Sequence, residues 1–305
     1  MRSYLPEGES FKTTENRYFT SDISGMAEAK RNCIILEGKA VMCTPEHDMI
    51  VELPCGKGII PREEGALGIR EGATRDIALL SKVGKPVCFK VLDQETDSSG
   101  SRFLLSRRAA QEECLENYIS QLASGDIIPA RVTHLEKFGC FVDIGCGIPS
   151  LIPIDAISVS RITHPNDRFY NGQLIKAVVK GHDGQRILLS HKELLGTWEE
   201  NADRFAVGQT VTGIIRSVEE YGIFVELAPN LAGLAEVRDD VSVGQSASVY
   251  IKAIIKDKMK VKLLIVDVFD NGKFPAPIDY FTDGTHIDSW IYSTPDSHKH
   301  IESRF

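Results

Sequence analysis

The segment beginning at Gly125, GDIIPARVTHLEKFGCFVDIGCG, returns from Gly208, 83 residues later, as GQTVTGIIRSVEEYGIFVELAPN. What recurs is a pattern: aromatic, glycine, any residue, aromatic, valine, acid, aliphatic. A chain that repeats a unit of this length must fold it into the same small module each time, so the repeat constrains the architecture before composition does. After each glycine the alternation is that of a strand with one buried face. It assigns Cys140, Val142 and Ile144 to a core and Phe141 and Asp143 to the outer face. In the later copy Ile223, Val225 and Leu227 turn inward, with Phe224 and Glu226 outside. An aromatic held outside a strand twice at one spacing invites a ligand.

Each copy closes on a strand that opens with a cation and alternates afterwards: Arg186-Ile-Leu-Leu-Ser in the second and Lys260-Val-Lys-Leu-Leu in the third. A weaker first copy ends likewise on Arg102-Phe-Leu-Leu-Ser, with Val51 and Leu53 as core positions and His47 and Ile50 in the two aromatic places. The preceding strand also repeats, and it sets Lys176 with Lys180, and Lys252 with Lys256, on one face. Five short strands in about 70 residues, punctuated by glycine turns, predict an antiparallel Greek-key barrel of the oligonucleotide-binding (OB) kind. The fold class is mainly β: tandem five-stranded OB-fold barrels joined by short helices.

The organisation expected is a flexible N-terminal arm at 1–27, a degenerate barrel at 28–110, a helical linker at 111–123, barrels at 124–196 and 207–268 separated by a helical linker at 197–206, and an aromatic C-terminal extension at 269–305. The linkers carry apolar residues at helical spacing: Leu115, Tyr118, Ile119 and Leu122 in one, Leu194, Leu195, Trp198 and Phe205 in the other. Phe274, Tyr280, Phe281, Trp290, Tyr292 and Phe305 make the extension too aromatic for a disordered tail, and it should fold back on the third barrel.

A net charge of −8 argues against a protein that captures nucleic acid by bulk positive charge. The deficit lies in the joins and ends. Residues 124–196 hold 8 basic and 7 acidic side chains, and residues 207–268 hold 7 and 8. Binding by such neutral modules must lean on stacking and local cations. The seven cysteines include no Cys-x-x-Cys pair and read as reduced, buried thiols; His286, His298 and His300 lack spaced partners, so neither a metal nor another cofactor is expected. No long uncharged apolar run offers a membrane span, and the N-terminus lacks the apolar core of a secretory signal, which predicts a cytoplasmic protein.

The candidate site in the second copy is Phe138 and Phe141 about the glycine turn, with Arg186 from a strand expected beside them and Lys176 and Lys180 from the strand before it. His182 and Asp183, in the turn before that last strand, are either an ordinary polar turn or a further contact. The third copy offers Tyr221 and Phe224 with Lys256, Lys258 and Lys260, where the lysines are either a solvated hairpin or phosphate contacts. Aromatic faces accept any base and cations hold phosphate, which suits single strands read with loose sequence preference. The plainer alternative is that these rings cover the barrel ends or pack on neighbouring helices. No nucleophile is paired with a base and no carboxylates are clustered for a metal, so no catalytic residue is named.

At these residues the chain resembles the S1 RNA-binding domain family, the repeated module of bacterial ribosomal protein S1 that also occurs in nucleases and initiation factors. The family's pattern, with Phe-Gly-x-Phe-Val-Asp-Ile-Gly and a closing Ile-x-Leu-Ser, is matched from Gly125 to Lys192, less fully from Gly208 to Asp267 and weakly over 28–108. The resemblance implies two S1 RNA-binding domains, at 124–196 and 207–268, and a degenerate S1-like barrel at 28–110. A histidine frequent after the family's third strand is replaced by Pro153 and Glu236. The first copy, lacking both aromatics, is similar to the leading domains that serve docking. The resemblance further implies a non-catalytic protein that binds single-stranded RNA, including mRNA, and acts in translation with the small ribosomal subunit. The rival readings are a protein-interaction scaffold and an accessory subunit of an RNA-processing complex.

Overall fold

The computed structural model describes residues 4–97, 100–184, 186–270 and 277–305. Three closed five-stranded barrels account for most of the sheet. The first uses β1 (Leu36–Cys43), β2 (Met49–Leu53), β3 (Gly56–Ile60), β4 (Pro86–Asp97) and β5 (Gly100–Ser106). The second uses β6 (Ile127–Glu136), β7 (Gly139–Asp143), β8 (Pro149–Pro153), β9 (Leu174–Asp183) and β10 (Arg186–Ser190). The third uses β11 (Thr210–Glu219), β12 (Gly222–Ala228), β13 (Leu231–Ala235), β14 (Ser246–Ile255) and β15 (Lys260–Phe269). In all three the order around the barrel is first, second, third, fifth, fourth, with the third and fifth strands parallel and the fourth and fifth antiparallel. This is the mainly β architecture that the strand count and glycine turns dictate.

Alternation fills the cores as expected. Val51, Leu53, Phe89, Phe103 and Leu105 are buried in the first barrel, and Ile215, Ile223, Val225, Val249 and Leu263 in the third. Cys140, Val142 and Ile144 are buried as well, while Leu227 is only half-buried. The acids of the repeated motif depart from the rule: Asp143 is 3% exposed and Glu226 5%. Their strand face does turn away from the barrel core, but other segments cover it and bring donors. Asp143 accepts the Glu7 N–H at 2.8 Å and the Gly145 and Gly147 N–H groups at 2.8 and 3.0 Å. Glu226 accepts from Arg168 and Arg216. A buried carboxylate needs such partners, so an acid on an outward position became a binding post for covering chain.

Contacts divide the chain into two compact units, one of residues 1–122, 129–131 and 143–149, the other of 123–128, 132–142 and 150–305. In the first, helices α1 (Thr14–Thr20) and α2 (Ile23–Arg31) stand where a mobile arm was expected. Thr13 and Asp22 cap them by accepting amide protons, and Phe19, Met26 and Ala29 join the core of the first barrel. Helix α3 (Ile77–Leu80) contributes buried Leu79. Helix α4 (Arg107–Asn117) starts within the fifth strand's repeat, before the expected linker, and buries Ala110, Gln111 and Cys114, leaving Leu115 half-buried. In the second unit α5 (Trp198–Ala202) begins with a capping box between Thr197 and Glu200. Leu194, Leu195 and Trp198 are buried and Phe205 half-buried.

The C-terminal extension packs as its aromatics demand. Trp290 and Tyr292 enter the core of the third barrel, and the Tyr292 hydroxyl donates to the Asn230 carbonyl at 2.6 Å. An earlier stretch adds to β6: the Ile127 N–H donates to Thr285 O and the Ile287 N–H to Gly125 O, each at 2.9 Å. Phe274 and residues 1–3 of the arm lie outside the described residues. All seven cysteines are free; Cys88, Cys114, Cys140 and Cys146 are buried, Cys43 and Cys55 half-buried, and Cys33 exposed against the expectation. Among the described residues no helix is long and apolar enough to cross a membrane, and no group of three or more His, Cys, Asp or Glu side chains is placed to hold a metal ion.

Candidate nucleic-acid interface

The aromatic-glycine-x-aromatic motif builds one structure twice. Its glycine opens the second strand of the barrel where the next strand passes too close for a side chain: a Cβ on Gly139 would lie 2.5 Å from Ile152 O, and one on Gly222 2.7 Å from Ala235 O. Gly222 also has φ of +153°, which a side chain would oppose. The glycine therefore lets the strands close while the residue before it tips outward. Phe138 is 56% exposed and Tyr221 69%, whereas Phe141 and Phe224, anchored in the strand, are half-buried. The rings of Phe138 and Phe141 meet edge to face, centroids 5.9 Å apart at 89°, and those of Tyr221 and Phe224 at 6.2 Å and 86°. Each pair leaves ring face open to solvent, and such edge-to-face packing holds the outer ring in place.

A further ring belongs to the second platform. His134 on β6 stacks on Phe141 at 6.5 Å and 27°, and its Nε2 lies 2.8 Å from Glu136 Oε1. The repeat could have revealed it: 83 residues later stands Ser217, which pairs directly with Phe224 in the β11–β12 ladder. On the other side, Phe224 pairs with Leu234 and Leu234 with Lys262, which makes an outward row across β12, β13 and β15. Lys262, the last lysine of the 256–262 hairpin that the sequence offers as either solvated or phosphate-binding, is exposed at the end of that row. The corresponding pair of the second barrel is Leu151 with Leu188, and the first barrel has Ile50, Ile59 and Leu104. One place in the fold is thus aromatic and cationic in the third copy, aromatic and aliphatic in the second, and wholly aliphatic in the first.

The expected cations divide. Arg186 and Lys180 are exposed on β10 and β9, but β8 lies between β7 and β10, so Arg186 stands two strands from Phe141 and two residues along β10 from Leu188, and not beside it. His182 and Asp183 are exposed at the end of β9, still within the strand, with Asp183 opposite Arg186. Lys258 and Lys260 are exposed around the β14–β15 turn, where Met259 takes the left-handed conformation with φ of 46°.

Two lysines are committed elsewhere. The Lys176 ammonium donates to Thr282 O at 3.2 Å and lies 5.3 Å from the centroid of the Tyr280 ring, under the C-terminal extension. Lys256 falls beyond β14 in a 3₁₀ turn, so it does not share a strand face with Lys252. Its ammonium pairs with Asp203 at 2.7 Å and Glu199 at 2.9 Å, hydrogen bonds that push its pKa up to about 12. Lys252 pairs with Glu236 at 2.8 Å, the acid that stands where the family pattern has histidine. Only Lys256 is lost to an acidic join, at 197–206; Lys252 is paired within its own barrel, and Lys176 is held by a carbonyl and a ring of the extension.

The family model described as "S1 RNA binding domain" matches residues 121–192. Small ribosomal subunit protein bS1 of Leuconostoc lactis is 33% identical over 184 residues, covering 57% of this chain and 41% of its own length. The bS1 homolog of Bacillus subtilis (strain 168) is 30% identical over 198 residues, covering 62% and 50%. The chain spans about half the length of the curated relatives it matches. Among solved structures, a Streptococcus pneumoniae multidomain protein with nucleic acid binding domains is 16% identical, with 76% of this chain and 73% of that chain covered, at a TM-score of 0.25.

Proposed function

We propose that this chain, a homologue of bacterial small ribosomal subunit protein bS1 with an S1 RNA-binding domain at residues 121–192, binds single-stranded RNA without catalysing a reaction on it. The observation that carries the reading is the outward ring pair repeated at nearly one geometry, 5.9 and 6.2 Å and close to perpendicular, in two barrels. RNA is held by Phe138, Phe141 and His134 in the barrel at 124–196, with Lys180, Arg186, His182 and Asp183 at its margin. Tyr221, Phe224, Lys258, Lys260 and Lys262 do the same in the barrel at 207–268. Lys176 and Lys256, first expected to contact RNA, serve the protein's own packing. Each stacked base contributes roughly 1–3 kcal/mol, and two linked sites raise affinity through effective concentration.

The relatives are ribosomal proteins, which supports mRNA as the RNA, translation as the process, the small ribosomal subunit as partner and the cytoplasm as location. The barrel at 28–110, with aliphatic residues in the platform row, is assigned a protein contact in place of RNA capture. The test is Phe138→Ala with Phe141→Ala, titrated against a fluorescent single-stranded RNA. The double variant should bind about tenfold or more weakly while its circular dichroism is unchanged, since a loss of about 1.4 kcal/mol is tenfold. Unaltered affinity in a folded double variant would favour the protein scaffold.

A further inference from the structure

The third barrel carries an ion pair across its own outer face. Lys252 stands on β14 and Glu236 directly follows β13, and in the barrel order β15 runs between those two strands. Both residues are exposed, and the Lys252 ammonium reaches Glu236 Oε1 at 2.8 Å. The pair therefore spans the outer side of β15. The ladder fixes the place: on one side of β15, Lys262 pairs with Leu234, two residues before Glu236; on the other it pairs with Ala253, one residue after Lys252. The bridge thus lies beside Lys262, the exposed cation that ends the row from Phe224 through Leu234.

The second barrel has the same cation without the acid. The Gly125 N–H donates to Val179 O at 2.7 Å and the Gly208 N–H to Ile251 O at 2.9 Å, so Lys180 and Lys252 hold one place in the two barrels. Across the barrel, Gly139 closes on Ile152 O as Gly222 closes on Ala235 O, which sets Pro153 in the place of Glu236. Proline offers no charge, and Lys180 is exposed. The bridge is an addition to the fold and not a requirement of it. Burial does not lock it: the Glu236 side chain is 74% exposed and that of Lys252 44%. An ion pair so open to water is weak and screened by salt, so a phosphate can exchange for the carboxylate.

We propose that the Lys252–Glu236 pair is a latch on the RNA site of the third barrel: closed, it withholds Lys252 and sets a carboxylate beside the strand's path; opened by RNA, it supplies Lys252 as the phosphate contact after Lys262. The inference rests on the reading that Tyr221 and Phe224 hold single-stranded RNA. Glu236 acts in two ways, by occupying the ammonium and by repelling phosphates that pass it. RNA entering the third barrel must trade one ion pair for another, whereas at the second barrel Lys180 is met without that loss. The third barrel is thereby held below the affinity its cations could give.

The test uses the full-length chain carrying Phe138→Ala and Phe141→Ala, so that a fluorescent single-stranded RNA titrated over a range of salt reports on the third barrel. In that background Glu236→Gln should raise affinity about threefold or more. It should also steepen the slope of log affinity against log salt by about 0.7, the share of one further phosphate. Lys252→Ala alone should leave the slope unchanged, and combined with Glu236→Gln it should cancel the steepening. Asp267→Asn removes an equal charge from β15, opposite Ser248 and away from the bridge, and should do neither. Glu236, Lys252 and Asp267 are all exposed, so circular dichroism should match the parent.

Unchanged affinity and slope in folded Glu236→Gln overturn the latch, as does an equal gain from Asp267→Asn. So does a flattened slope in Lys252→Ala alone, which would mean that Lys252 meets RNA with Glu236 in place. Tyr221→Ala with Phe224→Ala, in the same background, separates the latch from the reading beneath it. If that pair leaves binding as it was, the third barrel is not an RNA site and both fall together. If it abolishes binding while Glu236→Gln changes nothing, only the latch falls.

Discussion

Lys176 and Tyr280 hold each other twice: the Lys176 backbone N–H donates to the tyrosine hydroxyl at 2.9 Å, and the Lys176 ammonium lies 5.3 Å from the ring centroid of the same residue. One contact uses the aromatic's polar tip and the other its face, so the side chain pins the C-terminal extension to β9. A lysine so held has little freedom to follow a phosphate. Lys176→Ala is therefore expected to leave single-stranded RNA affinity within about twofold of wild type, in contrast to the losses expected at a phosphate-binding residue. Tyr280→Phe removes the acceptor of a half-buried amide and should lower stability by about 1 kcal/mol in urea unfolding.

Lys262 and Lys256 make the opposite pair. Lys262 ends the row that begins at Phe224, while Lys256 is ion-paired with Asp203 and Glu199. On a single strand each phosphate neutralised contributes about 0.7 to the slope of log affinity against log salt. Lys262→Ala should flatten that slope by about this amount. Lys256→Ala should leave it as it was. Equal effects of the two substitutions would mean that the row does not mark the RNA path.

The distinction between these lysines shows where sequence reading ends. Alternation and the glycine turns made the barrels legible, because a strand's period of two depends only on local backbone geometry. They also exposed Phe138, Phe141, Tyr221 and Phe224 as outward rings, since the motif repeats them. What covers the outer face is not local. Asp143 sits opposite residue 7, Lys176 beneath residue 280, and Lys256 beside the α5 acids, all contacts between distant parts of the chain that no short pattern encodes. His134 was missed for a different reason: its ladder partner mattered more than its place in the motif.

Glu226 tests the covering network directly. Its carboxylate, 5% exposed, accepts from Arg168 and Arg216, and Arg216 also reaches Asp167 at 3.3 Å. Removing the acid strands buried positive charge, the costly direction for an ion pair. Glu226→Ala should destabilise the protein by about 3–5 kcal/mol, measured by urea denaturation. Substitution of Glu219, an exposed acid on β11, should by comparison stay within about 0.5 kcal/mol.

Glu37 should contribute to the acid–base behaviour near neutrality. Burial, with the charge of Glu7 adding to it, pushes this carboxyl up to about 7 from 4.5, although the Gly8 N–H donates to it at 3.0 Å. In the unfolded chain the group loses its proton near pH 4.5, whereas the folded protein keeps it until about pH 7. Between those values the unfolded state binds fewer protons, so the contribution of Glu37 to stability falls as pH rises and levels off above the folded value. The fall is at most about 3.5 kcal/mol, since each pH unit between 4.5 and about 7 is worth about 1.4 kcal/mol. Glu7 runs the other way: paired with Arg107 and Lys82, its carboxylate titrates below the usual range despite burial, and its contribution is lost only as pH drops through and below 4.5. Glu37→Gln should therefore lessen the decline in urea midpoint between pH 6 and pH 8, above the value of about 6 to which burial raises Asp143, and leave the acid limb intact. An unchanged pH profile in that variant would show that Glu37 is ionised in the folded protein throughout this range.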